Sequence, residues 1–234
     1  MDPLVKAQAL EMATEVSYRK SGEEIVKDNR EVELSGEAVK KVIHNFEVGE
    51  LLPEAPKGKR RCEVLYVEAD EDHVAGQDKK RHLPRLVYVH EGKEGVGRDR
   101  VRLKNAYYFS GLYPDTEEIW LTVLDYLEEQ YDISAIKRIY LCGDGDAWIK
   151  KGLEILPNSI FVLDLFHPDK YLTAALQRDS EAYKRVWEGI RAGDQVKVEA
   201  ALKEVERTAE SSNQKKAIRA CRRYIRNNWD GIMA

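Results

Sequence analysis

The chain has 234 residues, 43% hydrophobic and 34% charged, with a net charge of −4. That length suits one substantial domain and a small one around a real core, and the mildly acidic balance excludes an overall basic coat while leaving room for local phosphate-binding patches. No apolar run nears the ~20 residues of a bilayer span and no signal-peptide core opens the chain. Cys62, Cys142 and Cys221 lack metal or redox spacing, so a reducing cytoplasm and small core positions are expected of them.

Residues 1–13 read as a short amphipathic helix. Tyr18–Asn29 reads as a second, capped by Ser17 or by a box of Ser21 and Glu24, with Gly22 weakening its interior. Ser35 caps a third, Gly36–Phe46, whose Val39, Val42, Ile43 and Phe46 recur at helical spacing. Two short helices joined by 30–34 suggest a helix-turn-helix over residues 1–47, with Lys40, Lys41 and His44 facing outward toward DNA. An ordinary helical hairpin has the same spacing. Residues 48–61 read as a linker ending in a basic run. Its Lys59, Arg60 and Arg61 suit phosphate contacts or a solvated loop.

The main domain is expected over 62–170. Glu63–Ala75 reads as a strand with Leu65, Val67 and Ala69 on one face and Val64, Tyr66, Glu68 and Asp70 on the other. Glu68, Asp70, Glu71 and Asp72 crowd four carboxylates into five residues, which favours a cation or a basic partner nearby. For His73 an ordinary structural position is preferred to metal ligation. Residues 76–84 read as a basic turn, Arg85–His90 as a second strand, 93–100 as a charged loop and Arg102–Phe109 as a third strand. Asp115–Tyr131 reads as a helix whose buried stripe is Ile119, Trp120, Val123, Leu124 and Leu127. Arg138–Cys142 is a short buried-type strand that ends at Gly143-Asp144-Gly145-Asp146. A helix at 147–156 and a strand at 159–163 follow, with Asp164 and His167 at the strand's exit.

The order β-β-β-α-β-α-β is that of an α/β, RNase H-like core. In that architecture the first and fourth strands are neighbours, which brings Asp70 near Asp144. From Asp169 the chain reads as helices only, 169–177, 180–191, 195–211 and 213–228, and it ends without a closing element. Lys215–Arg226 carries six basic residues in twelve and no acid. Such a face is usually just solvated. Here Arg219, Arg222, Arg223 and Arg226 are candidates for DNA contact.

The segments VSYRKSGEEI, LYVEADEDHVAGQ, LVYVHEG, YLCGDGDAWIK and FVLDLFHPDKYL together resemble the ISLre-type bacterial insertion-sequence transposases, a group also known as an uncharacterised protein family. The resemblance implies a DDE-type transposase that cleaves and joins DNA at insertion-sequence ends by two-metal phosphoryl transfer. Its RNase H-like core would be preceded by a helix-turn-helix and followed by an all-α insertion, here 171–234. It implies Mg²⁺ or Mn²⁺ as cofactor, transposon ends and target DNA as partners, and a homo-oligomer in the full-length form. Asp70 and Asp144 match the first two catalytic, metal-holding carboxylates, and Asp164 and His167 an accessory turn. A third acid, a Glu in an E-G-H-V-type segment, is expected after the insertion. None occurs before Ala234, and the first residues fall inside the family's pattern, so a truncated copy with impaired catalysis is expected. Asp146 stands where a small residue is frequent. The alternatives are a non-catalytic DNA-binding protein derived from a transposase and an RNase H-like nuclease unrelated to transposition.

Overall fold

A computed structural model describes residues 3–14, 16–28, 34–45, 58–75, 81–95 and 101–234. The chain divides into two compact units, Met1–Glu54 and Ala55–Ala234. Most of the expected linker, the 30–33 connection, Phe46 and parts of the 76–84 and 93–100 loops lie outside the described residues.

In the first unit, helices α1 (Pro3–Met12), α2 (Tyr18–Asp28) and α3 (Gly36–His44) surround Val5, Ala9, Ile25, Leu34 and Val39. Ser17 and Ser35 cap α2 and α3, their hydroxyls accepting from the amides of Lys20 and Ala38. Gly22 does more than weaken α2: a Cβ there would lie 2.5 Å from the Leu34 carbonyl oxygen, so its bareness lets the chain entering α3 pass close.

The second unit contains strands β1 (Val64–Glu71), β2 (Val74–Ala75), β3 (Arg81–His82), β4 (Arg85–His90), β5 (Lys93–Gly95), β6 (Val101–Leu103) and β7 (Tyr107–Gly111). After them come α4 (Thr116–Gln130), a short 3₁₀ turn, β8 (Arg138–Gly143), α5 (Ala147–Ile155) and β9 (Ser159–Leu163). Five strands form one mixed sheet in the order β7-β4-β1-β8-β9, with β4 antiparallel to both its neighbours and β1, β8 and β9 parallel. The parallel strands are reached through α4 and α5, as parallel pairing requires. These helices cover one face, and Leu65, Val67, Val87, Val89, Ile139 and Leu141 meet Ile119, Trp120, Val123 and Ile149 in the main core.

The third expected strand is two. Asn105, at φ 49°, turns the chain between β6 and β7, and β6 pairs with β5 in a separate hairpin. Helices α6 (Phe166–Ala175), α7 (Glu181–Arg191), α8 (Gln195–Thr208) and α9 (Ser212–Asn227) build a second core from Leu172, Val186, Ile190, Val198, Leu202, Ile218, Cys221 and Ile225. The sequence reading of an open end at Asn228 needs correction. A further helix, α10 (Trp229–Met233), packs on β9, where Gly231 lies so close to Phe161 that a Cβ would fall 2.5 Å from the ring. No helix among the described residues is long and apolar enough to cross a membrane.

Candidate functional site

The expected strand adjacency is present. In the parallel β1/β8 pair Glu68 stands opposite Cys142. Asp70, two residues after Glu68, shares its face of β1, and Asp144, two residues after Cys142, sits just beyond β8, so both stand at the C-terminal ends of neighbouring strands. Asp164 follows β9, its amide donating to the Gly143 carbonyl at 3.0 Å. Glu68, Asp70, Tyr88, Asp144, Asp164 and His167 all border one cavity of about 140 Å³.

Each aspartate accepts from an amide one or two residues further along the chain. One carboxylate oxygen of Asp70 accepts from the Glu71 amide at 2.8 Å, one of Asp144 from the Asp146 amide at 2.9 Å, and one of Asp164 from the Phe166 amide at 3.0 Å. Their second oxygens have no hydrogen bond or ion pair among the described residues. Glu68 is different, because both its oxygens are in use. Tyr88 donates to one at 2.7 Å and His90 Nε2 lies 3.0 Å from the other. On its other side His90 Nδ1 lies 3.1 Å from the Gly92 amide nitrogen and 3.2 Å from the Gly92 carbonyl oxygen, which holds the ring in place against Glu68. Glu68 thus braces the cavity wall, and its charge is answered by side-chain donors.

Negative charge is crowded at the rim. Partial desolvation, and after it the charge of Asp146, raises the Glu71 carboxyl above its ordinary value against the pull of Arg85 and His73. Asp146 is also raised, by desolvation in the crevice and then by Asp144, despite the opposing His167, His73 and Lys150. Burial lifts the Cys142 thiol to about 11, so it stays protonated at neutral pH and is no nucleophile.

The hard-oxygen donors and the crowding of like charge suit Mg²⁺ or Mn²⁺ chemically. Mg²⁺ needs only one or two protein carboxylates because it keeps several of its waters. A complete cage is not assembled, since no group of three His, Cys, Asp or Glu residues among the described ones is arranged to hold a metal ion.

The predicted DNA-contact residues divide into available and committed ones. Lys40 is half-buried, and Lys41, His44, Lys59, Arg223 and Arg226 are exposed. Arg61 is exposed beside Asp132 at 3.5 Å. Arg60 is committed within the fold: it stacks over Tyr131 at 4.7 Å and donates to Tyr126 and Gln130, so it fastens the chain to the end of α4. Arg222 is committed as well, because its guanidinium bridges Glu199 and Glu206 between α8 and α9. Arg219 pairs with Glu206 at 2.6 Å but remains exposed. Together with Lys215, Lys216 and Arg223 it lines a groove of about 570 Å³.

Sequence reasoning missed Tyr224 and Asn228. The Tyr224 hydroxyl donates to the Asp144 carbonyl at 2.5 Å, and Asn228 lies against Gly145. Both contacts span about eighty positions, and no local pattern signals them.

Residues 1–234 match the uncharacterised protein family UPF0236. Relatives in Caldanaerobacter subterraneus subsp. tengcongensis carry only that family name. Two are 39% identical over 229 residues, covering 97% of this chain and 48% of the relative. A third is 38% identical over 229 residues, covering 97% of this chain and 45% of the relative. The name of one relative joins four gene designations and that of another joins eleven. The chain spans about half the length of these relatives, and it belongs to the UPF0236 family.

Proposed function

We propose that the chain is the RNase H-like part of a DDE-type transposase that works on the DNA ends of a bacterial insertion sequence. The observation that carries this reading is the strand order. Three antiparallel strands followed by two parallel ones, in the order β7-β4-β1-β8-β9, is how RNase H-like folds are wound, and it leaves Asp70 and Asp144 on adjacent strand ends at one cavity. A second support is the relative whose name joins eleven gene designations of one genome, since a mobile element leaves copies at many loci.

In this reading Asp70 and Asp144 would hold Mg²⁺ or Mn²⁺ through their uncommitted oxygens. The metal, when bound, would activate the attacking oxygen and stabilise the leaving one in phosphodiester cleavage and strand transfer. The protein's own residues do the rest. Strand β1 carries Asp70, the turn that leaves β8 carries Asp144, and Glu68, Tyr88 and His90 hold the wall beside them. Asp164 and His167 border the same space as accessory groups. The α3 face and the Lys215–Arg226 face offer cations to the DNA backbone, on transposon ends and target alike, in a homo-oligomer. These 234 residues supply two carboxylates of the expected three, so this stretch by itself is proposed to be impaired in cleavage.

Titration with Mn²⁺, followed by electron paramagnetic resonance, tests the reading. One weak site lost in both Asp70→Asn and Asp144→Asn is expected. Binding unaffected by either variant would refute it, and brisk Mg²⁺-dependent nicking of element ends by this chain, abolished by Asp70→Ala, would refute the impairment. The groove lined by Lys215, Lys216, Arg219 and Arg223 favours a second reading, a DNA-binding protein without catalysis. Salt-dependent DNA binding with no Asp144-dependent metal site would select it.

A further inference from the structure

Asp144 sits in a turn that cannot hold it alone. Only Asp144–Asp146 joins β8 to α5, and the middle one of those three residues is a glycine. The acid's one side-chain bond is to an amide of the same turn, so it moves with the turn. What fixes the turn comes from the far end of the chain.

Tyr224, on α9, donates its hydroxyl to the Asp144 carbonyl at 2.5 Å. Its ring stacks on Tyr171 of α6, with centroids 4.1 Å apart and planes 18° apart, so the hydroxyl is aimed by a fixed plate. Burial, and next to it the charge of Asp144, lifts the Tyr224 pKa far above the phenolic range, so it remains a donor at neutral pH. At the next residue, Gly145 adopts φ 91°, and any Cβ there would lie 2.3 Å from Asn228 Oδ1.

Asn228 is itself pinned. It is 5% exposed, its Nδ2 donates to the Tyr224 carbonyl at 3.0 Å, and its Oδ1 accepts from Lys150 at 2.6 Å. Lys150 also donates to the Asn227 carbonyl at 3.3 Å. The cation therefore sits at the C-terminus of α9, where the helix dipole favours it. Because Lys150 belongs to α5, the helix that the turn leads into, the network closes on itself. The Asp144–Gly145 peptide is gripped by α9 on one side while β8 and α5 fix its two ends.

We propose that Tyr224 and Asn228 are positioning residues for Asp144, and that the helical region 166–233 is a working part of the site. This rests on reading Asp144 as a metal-holding carboxylate. Partners that orient a ligating carboxylate commonly matter to metal affinity nearly as much as the ligand. Here they act through the backbone of the ligand's turn.

Tyr224→Phe in the full 234-residue chain is the test, because it removes the hydroxyl and keeps the ring stack. Two readouts are needed: amide hydrogen exchange resolved by residue, and Mn²⁺ affinity. The amides of Asp144, Gly145 and Asp146 should exchange about 5-fold to 10-fold faster, with protection at Leu172, Ile218 and Ile225 unchanged. Mn²⁺ should bind about 10-fold more weakly. A merely structural role would instead lower protection throughout the helical core. Asn228→Ser, which retains a small polar side chain, should shift both readouts in the same direction. Unchanged exchange in the turn, or unchanged Mn²⁺ affinity in both variants while Asp144→Asn still abolishes binding, overturns the positioning role alone. Mn²⁺ binding that ignores Asp144→Asn overturns the underlying reading of Asp144, and the positioning role falls with it.

Discussion

At the residue scale, the two carboxylates show how alternation in a strand becomes chemistry. Leu65, Val67 and Ala69 are buried in the main core, so Glu68 and Asp70 must face the other way, and the pairing of Glu68 with Cys142 sets Asp144, just past the end of β8, at the same cavity. That much was legible in the sequence, because period two is local. The different fates of Glu68 and Asp70 were not. Glu68 is occupied by Tyr88 and His90, which reach it from the antiparallel neighbour β4. Asp146 gives a pH prediction. Its raised pKa means that the folded chain binds this proton more tightly than the unfolded chain does. Stability is therefore lost as pH rises from the ordinary carboxylate value through the raised one, and the penalty is full above it. Asp146→Asn should stabilise the protein at neutral pH by about 0.5 kcal/mol or less, given solvent screening. Urea titrations at pH 7 and pH 3 should show that gain at the first and none at the second.

At the element scale, the starts of two helices are marked by a capping side chain. Ser35 and Asp115 both accept backbone amides at the starts of α3 and α4. The β6–β7 break was missed because Val101–Gly111 is rich in strand-forming residues. Only Asn105, a residue that tolerates left-handed backbone, marks the turn. Helix α10 was missed because five residues make too short a stretch for periodicity to show. The basic run on α9 was read as one surface, yet Arg222 is 19% exposed and shared by Glu199 and Glu206. Arg222→Ala should cost about 1–3 kcal/mol in urea unfolding, since it strands two carboxylates between α8 and α9. The loss should shrink in acid. Arg222 holds Glu199, and Arg219 with Arg222 holds Glu206, below the ordinary value of 4.5. That support is present above 4.5 and fades as pH falls through the lowered values.

At the scale of the whole molecule, the order of the five main-sheet strands and their crossover helices was legible, because parallel strands need a helix between them and antiparallel ones do not, while the short hairpin strands β2, β3, β5 and β6 were not. How the helical region meets the sheet was not, since it depends on contacts between Asp144 and Tyr224 across 80 positions. The division of labour along α9 also yields a prediction. On the proposed reading, duplex DNA affinity should fall as salt rises. Neutralising Lys215 and Arg223 to Gln should reduce the log–log slope by about 2, close to one unit per lost phosphate contact. Arg222→Gln should leave that slope nearly unchanged. A fluorescence anisotropy series at several salt concentrations checks both.

Gly231 and Phe161 share one volume at the junction of α10 and β9. A relative that enlarges position 231 must shrink position 161 or lose the packing of its terminal helix. The two positions, seventy apart, are therefore expected to vary in opposite senses of size as the family diverges. Their covariation would be an evolutionary record of a contact that no single sequence displays.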